Sequence, residues 1–153
     1  MLDKGWKGAD LIFDLDGDHL PGVSDRDFPS MLELIQEQAW TLWSDFLSPE
    51  FGFDENYLQL SYSGHRGYHI HIPNSVFNFS ANEELPFQVK ETLTKLIPGI
   101  DPMIYMRTGL YRVPHTVNNK TGLYKVPLTY SELMNSKVEE IHQYAKTPRL
   151  EFP

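Results

Sequence analysis

Apolar and polar positions along the chain switch between a period of two and a period near 3.6, and the switches predict the elements. Residues 9 to 16 set Leu11, Phe13 and Leu15 on one side of an extended segment and Ile12, Asp14 and Asp16 on the other, which predicts a first strand. Residues 17 to 27 are polar and turn-rich. Asp27 is placed to cap a helix and Pro29 to occupy its first turn. Met31, Leu32, Leu34, Ile35, Ala39, Leu42 and Trp43 then recur at helical spacing to about Leu47, where Ser48-Pro49 and Gly52 predict an end. Tyr57 to Ser63 alternates, with Leu58, Leu60 and Tyr62 opposing Gln59, Ser61 and Ser63. Residues 63 to 67 read as a tight turn, and Tyr68 to Ile72 as a second alternating strand with His69 and His71 on its polar side. Residues 83 to 97 predict a second helix stopped by Pro98-Gly99. Ile100 to Pro114 predicts an extended stretch kinked at Thr108-Gly109, residues 118 to 122 a loop, Leu123 to Leu128 another strand, and Ser131 to Tyr144 a final helix.

The first six elements run β-α-β-β-α-β. That order predicts an α+β fold of the ferredoxin-like, or RNA-recognition-motif-like, kind: an antiparallel sheet with two helices on one face, here extended by a C-terminal strand and helix. The other face is expected to stay open, lined by Asp14, Asp16, Ser63, His69 and His71. No repeat, linker or low-complexity run divides the chain, so residues 1 to 153 are expected to form one domain.

Composition narrows the chemistry. The absence of cysteine excludes disulfides, thiol catalysis and cysteine-based zinc sites. No apolar run is long enough to span a bilayer and no signal-peptide pattern opens the chain, so the expectation is a cytoplasmic protein without a membrane. A formal net charge of −8 argues against indiscriminate nucleic-acid binding. The distribution matters more than the total. Residues 1 to 60 hold 13 of the 21 acidic residues, whereas Met103 to Thr129 contains no acid and carries Arg107, Arg112, Lys120 and Lys125. Such a segment suits a polyanion, a triphosphate or a nucleic-acid strand.

Two carboxylates side by side at the end of an apolar strand repel each other and resist desolvation. A hard divalent cation removes both penalties, so Asp14 and Asp16 are a candidate metal pair; the same residues also suit a polar strand end before a solvated Asp-Gly turn. Ser63, Arg66 and His69 equip the following turn for phosphate. Arg offers a planar fork of donors, Ser a hydroxyl, and Gly64 and Gly67 let backbone amides approach. His69 and His71 lack a third nitrogen ligand, so no zinc is expected. Asp101, entering the next strand, is either a third carboxylate for the metal pair or a plain turn residue. Arg112 lies between Tyr111 and Val113 in an expected strand, so its side chain is expected to point opposite to theirs. Lys120 sits in a loop rich in amide side chains.

Taken in order, Leu11-Ile12-Phe13-Asp14-Leu15-Asp16, Ser63-Gly64-His65-Arg66-Gly67-Tyr68-His69, Ile100-Asp101 and the run from Leu110 to Gly122 resemble the catalytic (small) subunit of DNA primase, in the archaeo-eukaryotic primase superfamily. The resemblance spans about residues 9 to 128. It implies template-directed nucleotidyl transfer by a primase-polymerase, with Asp14, Asp16 and Asp101 holding two Mg²⁺ or Mn²⁺ ions. Ser63, Arg66 and His69 would hold the incoming triphosphate, with Arg112 and Lys120 beside the phosphates. Implied partners are nucleoside triphosphates, a single-stranded DNA template with its primer strand, and a primase large subunit or another replication or repair protein. His65 stands where relatives often carry a second Arg, and Asn118 where the eukaryotic pattern has His. With 13 residues before Asp14 and no cysteine-rich element, the chain is expected to be a small member or an isolated catalytic core.

Two other readings compete. Phe13-Asp14-Leu15-Asp16-Gly17-Asp18 also resembles the first motif of haloacid-dehalogenase-type phosphatases, in which Asp14 would be a nucleophile and Asp16 an acid/base. That family normally has Thr where Asp18 stands, and its sheet is parallel. A non-catalytic RNA-recognition-motif-like binder would want exposed aromatics on the open face, where carboxylates and histidines stand instead.

Overall fold

The computed structural model describes residues 10–22, 28–51, 58–76, 91, 95, 97–102 and 111–151. Strands β1 (Leu11–Asp16), β2 (Gln59–Tyr62), β3 (Gly67–Ile72) and β4 (Val126–Leu128) form an antiparallel sheet in the order β1-β3-β2-β4. Every pairing in it is antiparallel, against the parallel sheet of the phosphatase reading. Phe13, Leu15, Leu60, Tyr62, Tyr68, Ile70, Ile72, Val126 and Leu128 are buried together. They fill the face against which helix α1 (Phe28–Thr41) packs through Met31, Leu32, Ile35 and Ala39. Leu34, read from sequence as part of the apolar stripe, is exposed instead. The α+β class holds, and α1 links β1 to β2, which lie parallel on either side of β3.

The helix does not end at Ser48-Pro49. It widens into a π-helical stretch, Leu42–Leu47, and resumes as α2 (Ser48–Phe51). The Ser48 N–H reaches back five residues to the Trp43 carbonyl. Proline has no N–H and its ring clashes with the carbonyl four residues earlier in a regular helix; a wider turn relieves that clash, so the chain continues where a break was expected.

The expected final helix is two helices, α3 (Tyr130–Asn135) and α4 (Val138–Tyr144). Thr129 and Glu132 close a capping box on α3, and Glu140 accepts from the Lys137 N–H at the start of α4. From α1, Gln36 donates to the carbonyls of Leu133 and Ser136, at 2.6 and 2.9 Å. The carbonyls left unpaired by the interruption therefore have a partner, and helical periodicity alone carried no sign of it. The strand expected over Ile100 to Pro114 is represented by a bridge between Ile100 and Leu15. Asp101 N–H donates to the Asp14 carbonyl and Asp16 N–H to the Gly99 carbonyl, both at 2.7 Å, so this segment flanks the outer edge of β1. The expected Asp27 cap, most of the 83–97 helix, the Thr108-Gly109 kink and Arg107 lie outside the described residues.

The sheet face expected to be open is partly roofed. Tyr111 packs on His69 and His71, at ring-centroid distances of 5.3 and 5.8 Å, with Lys125 Nζ against its ring, and Ser61, His69 and Lys125 are buried. Gly67 sets how closely β1 and β3 approach: a Cβ there would lie 1.8 Å from the Leu15 carbonyl oxygen. Gly67→Ala must push the strands apart, and overpacking of this kind costs about 1–3 kcal/mol. Urea unfolding should show the loss; a variant as stable as the parent would contradict the close approach.

Candidate functional site

Strand register assembles the site. Asp14 lies opposite His69 and Asp16 opposite Gly67. Asp14 and Asp16, two residues apart, share the sheet face away from α1. They line a cleft of about 360 Å³ together with Ser63, His65, Arg66, His69, Tyr111, Arg112 and Asn118. Six residues singled out from sequence therefore meet in one place: Asp14, Asp16, Ser63, Arg66, His69 and Arg112.

The acidic wall is under electrostatic strain. Burial pushes the Asp16 carboxyl above its usual range, and the charges of Asp18 and Asp14 add to the push, while a 2.9 Å hydrogen bond from the Asp18 N–H opposes it. Asp16 thus also caps the short 3₁₀ turn Gly17–His19. His69 Nε2 faces Asp14 Oδ1 at 3.3 Å. Burial holds the imidazole below its ordinary pKa and outweighs the Asp14 carboxylate. A neutral ring that donates from Nε2 has a bare Nδ1, and that atom is buried with no hydrogen-bond partner among the described residues.

The phosphate-type turn is locked by its own serine. Ser63 Oγ accepts from the Gly67 and His65 N–H groups at 3.2 and 3.3 Å, and the Ser63 N–H donates to the Gly67 carbonyl at 2.8 Å. The hydroxyl proton is left as a donor. Gly64 has φ +78°, and a Cβ there would meet the Tyr124 carbonyl at 2.8 Å, so glycine is needed both for the dihedral and for the contact. Thr121 Oγ1 donates to the Gly64 carbonyl at 2.7 Å, joining the Lys120-Thr121-Gly122 loop to this turn. Tyr62 Oη donates to the His65 carbonyl at 2.8 Å; its proton is then committed, so His142 Nε2, 2.7 Å away, must be the donor in that pair. Arg66 is paired with Asp18.

Arg112 donates to the Ser63 carbonyl through Nη2, and its Nη1 is buried with no hydrogen-bond partner among the described residues. Tyr111 also lines the cleft, whereas Val113 is 60% exposed. The expected opposition of Arg112 to both neighbours fails for Tyr111. Residues 111 to 113 form no ladder, so the two-residue period does not apply there. Lys120 is exposed and does not line the cleft, although its charge helps to hold the His65 imidazole below its ordinary pKa, after burial and Arg66.

Asp101 departs from the expected carboxylate trio. Its Oδ1 faces His19 Nε2 at 3.4 Å, it does not line the cleft, and no three His or carboxylate side chains among the described residues are grouped to hold a metal. It is a neighbour of the acidic strand through its backbone. The pair Asp14–Asp16 nevertheless fits a hard divalent cation. Magnesium is commonly held by one or two carboxylates, with water and phosphate oxygens completing its shell, and a cation would relieve what burial and neighbouring carboxylates impose on Asp16.

Tyr111, Asn118 and Lys125 were not marked as site residues from sequence. Lys125 had a legible signal: alternation in β4 and its approach puts it on the face opposite Val126 and Leu128. It is 0% exposed, with Nζ 2.5 Å from the Arg112 carbonyl and 3.7 Å from the centre of the Tyr111 ring. Burial, then the Arg112 charge, lowers its pKa to about 7, with Asp14 acting the other way. An unfolded lysine titrates near ~10.4. Between those values the unfolded chain binds more protons, so this group makes stability rise with pH, by up to about 1.4 kcal/mol per pH unit, and lowers it below neutrality. Urea unfolding from pH 6.5 to 10 should show that rise in the parent relative to Lys125→Met; parallel profiles would contradict the assignment.

No family model matches the chain. It is 54% identical over 72 residues to the DNA primase small subunit PriS of Methanosarcina acetivorans, a match covering 47% of this chain and 17% of that protein. It is 50% identical over 72 residues to the PriS of Thermoplasma acidophilum, covering 47% and 22%. Against the PriS of Halorubrum lacusprofundi it is 51% identical over 103 residues, covering 66% and 24%. In these three matches it spans between 17% and 24% of the relatives' length. At about 50% identity over that shared part, the chain is a homologue of DNA primase small subunits.

Proposed function

We propose that this chain is the catalytic core of a primase-polymerase, transferring nucleotides from nucleoside triphosphates to a primer 3′-hydroxyl on a DNA template. The observation that carries the reading is one cleft lined both by Asp14 and Asp16 and by Arg112, whose Nη1 is buried without a hydrogen-bond partner among the described residues. A buried donor without a partner is costly and is satisfied by an anion. The homology to DNA primase small subunits supports the same reading.

In this reading Asp14 and Asp16 hold Mg²⁺ or Mn²⁺. Such ions would neutralise charge on the attacking and leaving oxygens as the 3′-oxygen displaces pyrophosphate from the α-phosphorus. The chain's own residues do the rest by position and charge. The Ser63 hydroxyl and the Arg112 Nη1 donate to phosphate oxygens. Arg66 exchanges Asp18 for phosphate, and Asp18 keeps its guanidinium at the rim until then. His69, neutral at physiological pH, keeps its Nε2–H on Asp14 and orients that carboxylate. Lys120 reaches phosphate from the exposed loop. The sheet, extended past β1 by the segment after Gly99, is proposed to be of the RNA-recognition-motif-like type. A template–primer duplex and a primase large subunit are the proposed partners.

A templated extension assay with Mg²⁺ or Mn²⁺, with and without primer, tests the activity. Extension should be seen in the parent and abolished in Asp14→Ala and Asp16→Ala, while Arg66→Ala should weaken triphosphate binding by about 1.5–3 kcal/mol, the range for a hydrogen bond to a charged group. Extension by the acidic-pair variants at the parental rate would refute the metal-pair assignment.

A further inference from the structure

Lysine is almost never fully buried, yet Lys125 is among the largest fully buried side chains of this protein. The groups facing its ammonium are Tyr111, Arg112, Asp14 and His69. Burial makes the site a poor one for a cation, the Arg112 charge adds to that, and only the Asp14 carboxylate opposes it. An apolar side chain would fill the space at less cost. Two contacts compensate: the hydrogen bond to the Arg112 carbonyl and the face of the Tyr111 ring.

Both contacts fall on the segment that forms the cationic wall. That segment has no ladder of its own at 111 to 113, so its position relies on such contacts. The ties continue: Lys125 Nζ holds the Arg112 carbonyl, the Arg112 guanidinium holds the Ser63 carbonyl, and Ser63 Oγ holds the Gly67 and His65 amides. Lys125 itself is anchored by its backbone, N–H to the Thr116 carbonyl at 2.9 Å and carbonyl to the His115 N–H at 2.7 Å.

We propose that Lys125 is a positioning residue for nucleotide binding, fixing the Tyr111–Arg112 backbone from beneath so that the Arg112 guanidinium is held against the phosphate turn. The inference rests on the triphosphate reading of the cleft. It predicts an effect on affinity through Arg112, with little effect on turnover at saturation.

The test uses this chain with Mn²⁺ and a nucleoside triphosphate, and reads the dissociation constant by calorimetry, kcat by extension at saturating nucleotide, and thermal stability. Lys125→Met should bind about tenfold more weakly, with kcat within threefold of the parent and an unchanged or raised melting temperature. In an Arg112→Ala background the same substitution should have no further effect on affinity, because its route is already removed. If Lys125→Met fails to fold, Lys125→Gln, which keeps an N–H donor, replaces it, with a smaller loss of affinity expected in the same pattern. Unchanged affinity, or losses that add in the double variant, would overturn the inference while leaving the triphosphate reading intact. Failure of the parent to bind triphosphate at all would overturn that reading, and the inference with it.

Discussion

The antiparallel register of β1 on β3 is the constraint on which the site depends. It puts Asp14 opposite His69 and Asp16 opposite Gly67, and a slip of one residue would turn Asp14 and Asp16 into the core and Phe13 and Leu15 out of it. The register is held from both sides. The apolar set Phe13, Leu15, Tyr68, Ile70 and Ile72 tolerates no other face, and Gly67 lets the strands approach where the acidic pair ends. Packing that stabilises the fold thus also fixes two carboxylates near each other, at an electrostatic cost visible in Asp16.

That cost has its counterpart on the opposite wall. The segment after residue 110 carries cations and no acid as far as Thr129, and it folds over the polar sheet face rather than away from it. Arg112 meets the phosphate-type turn, Thr121 ties the loop to Gly64, and Lys125 sits beneath. Each wall alone is unfavourable, the acidic one through repulsion and the basic one through buried cations and a donor without a partner among the described residues. A bound metal–triphosphate would complement both at once, which is why they are read as one site.

The legible parts of the sequence were those governed by simple periods. Strands β1, β2 and β3 and the buried stripe of α1 followed from alternation and helical spacing, and the ordered motifs placed six residues in the cleft. The parts that were not legible depend on contacts distant in sequence. Gln36 stabilises the break between α3 and α4 from nearly a hundred residues away. The π-helical turn absorbs Pro49. Tyr111 joins Arg112 in the cleft because no ladder imposes alternation there, and the sheet face expected to be open is covered by that same segment. The position of Asp101 after the Pro98-Gly99 turn left a third carboxylate and a plain turn residue both open, and only the family resemblance made it a ligand; its backbone reaches Asp14 and its carboxylate faces His19.

The central claim is that acidic pair and cationic wall form one site for a metal-bound triphosphate. Thermal denaturation with Mn²⁺ alone, nucleoside triphosphate alone, and both together tests it directly, since a ligand stabilises by an amount set by its concentration relative to Kd. The account predicts that the two together raise Tm by more than the sum of their separate effects, and that Asp16→Ala removes the excess. Purely additive shifts, or an excess that survives in Asp16→Ala, would contradict it.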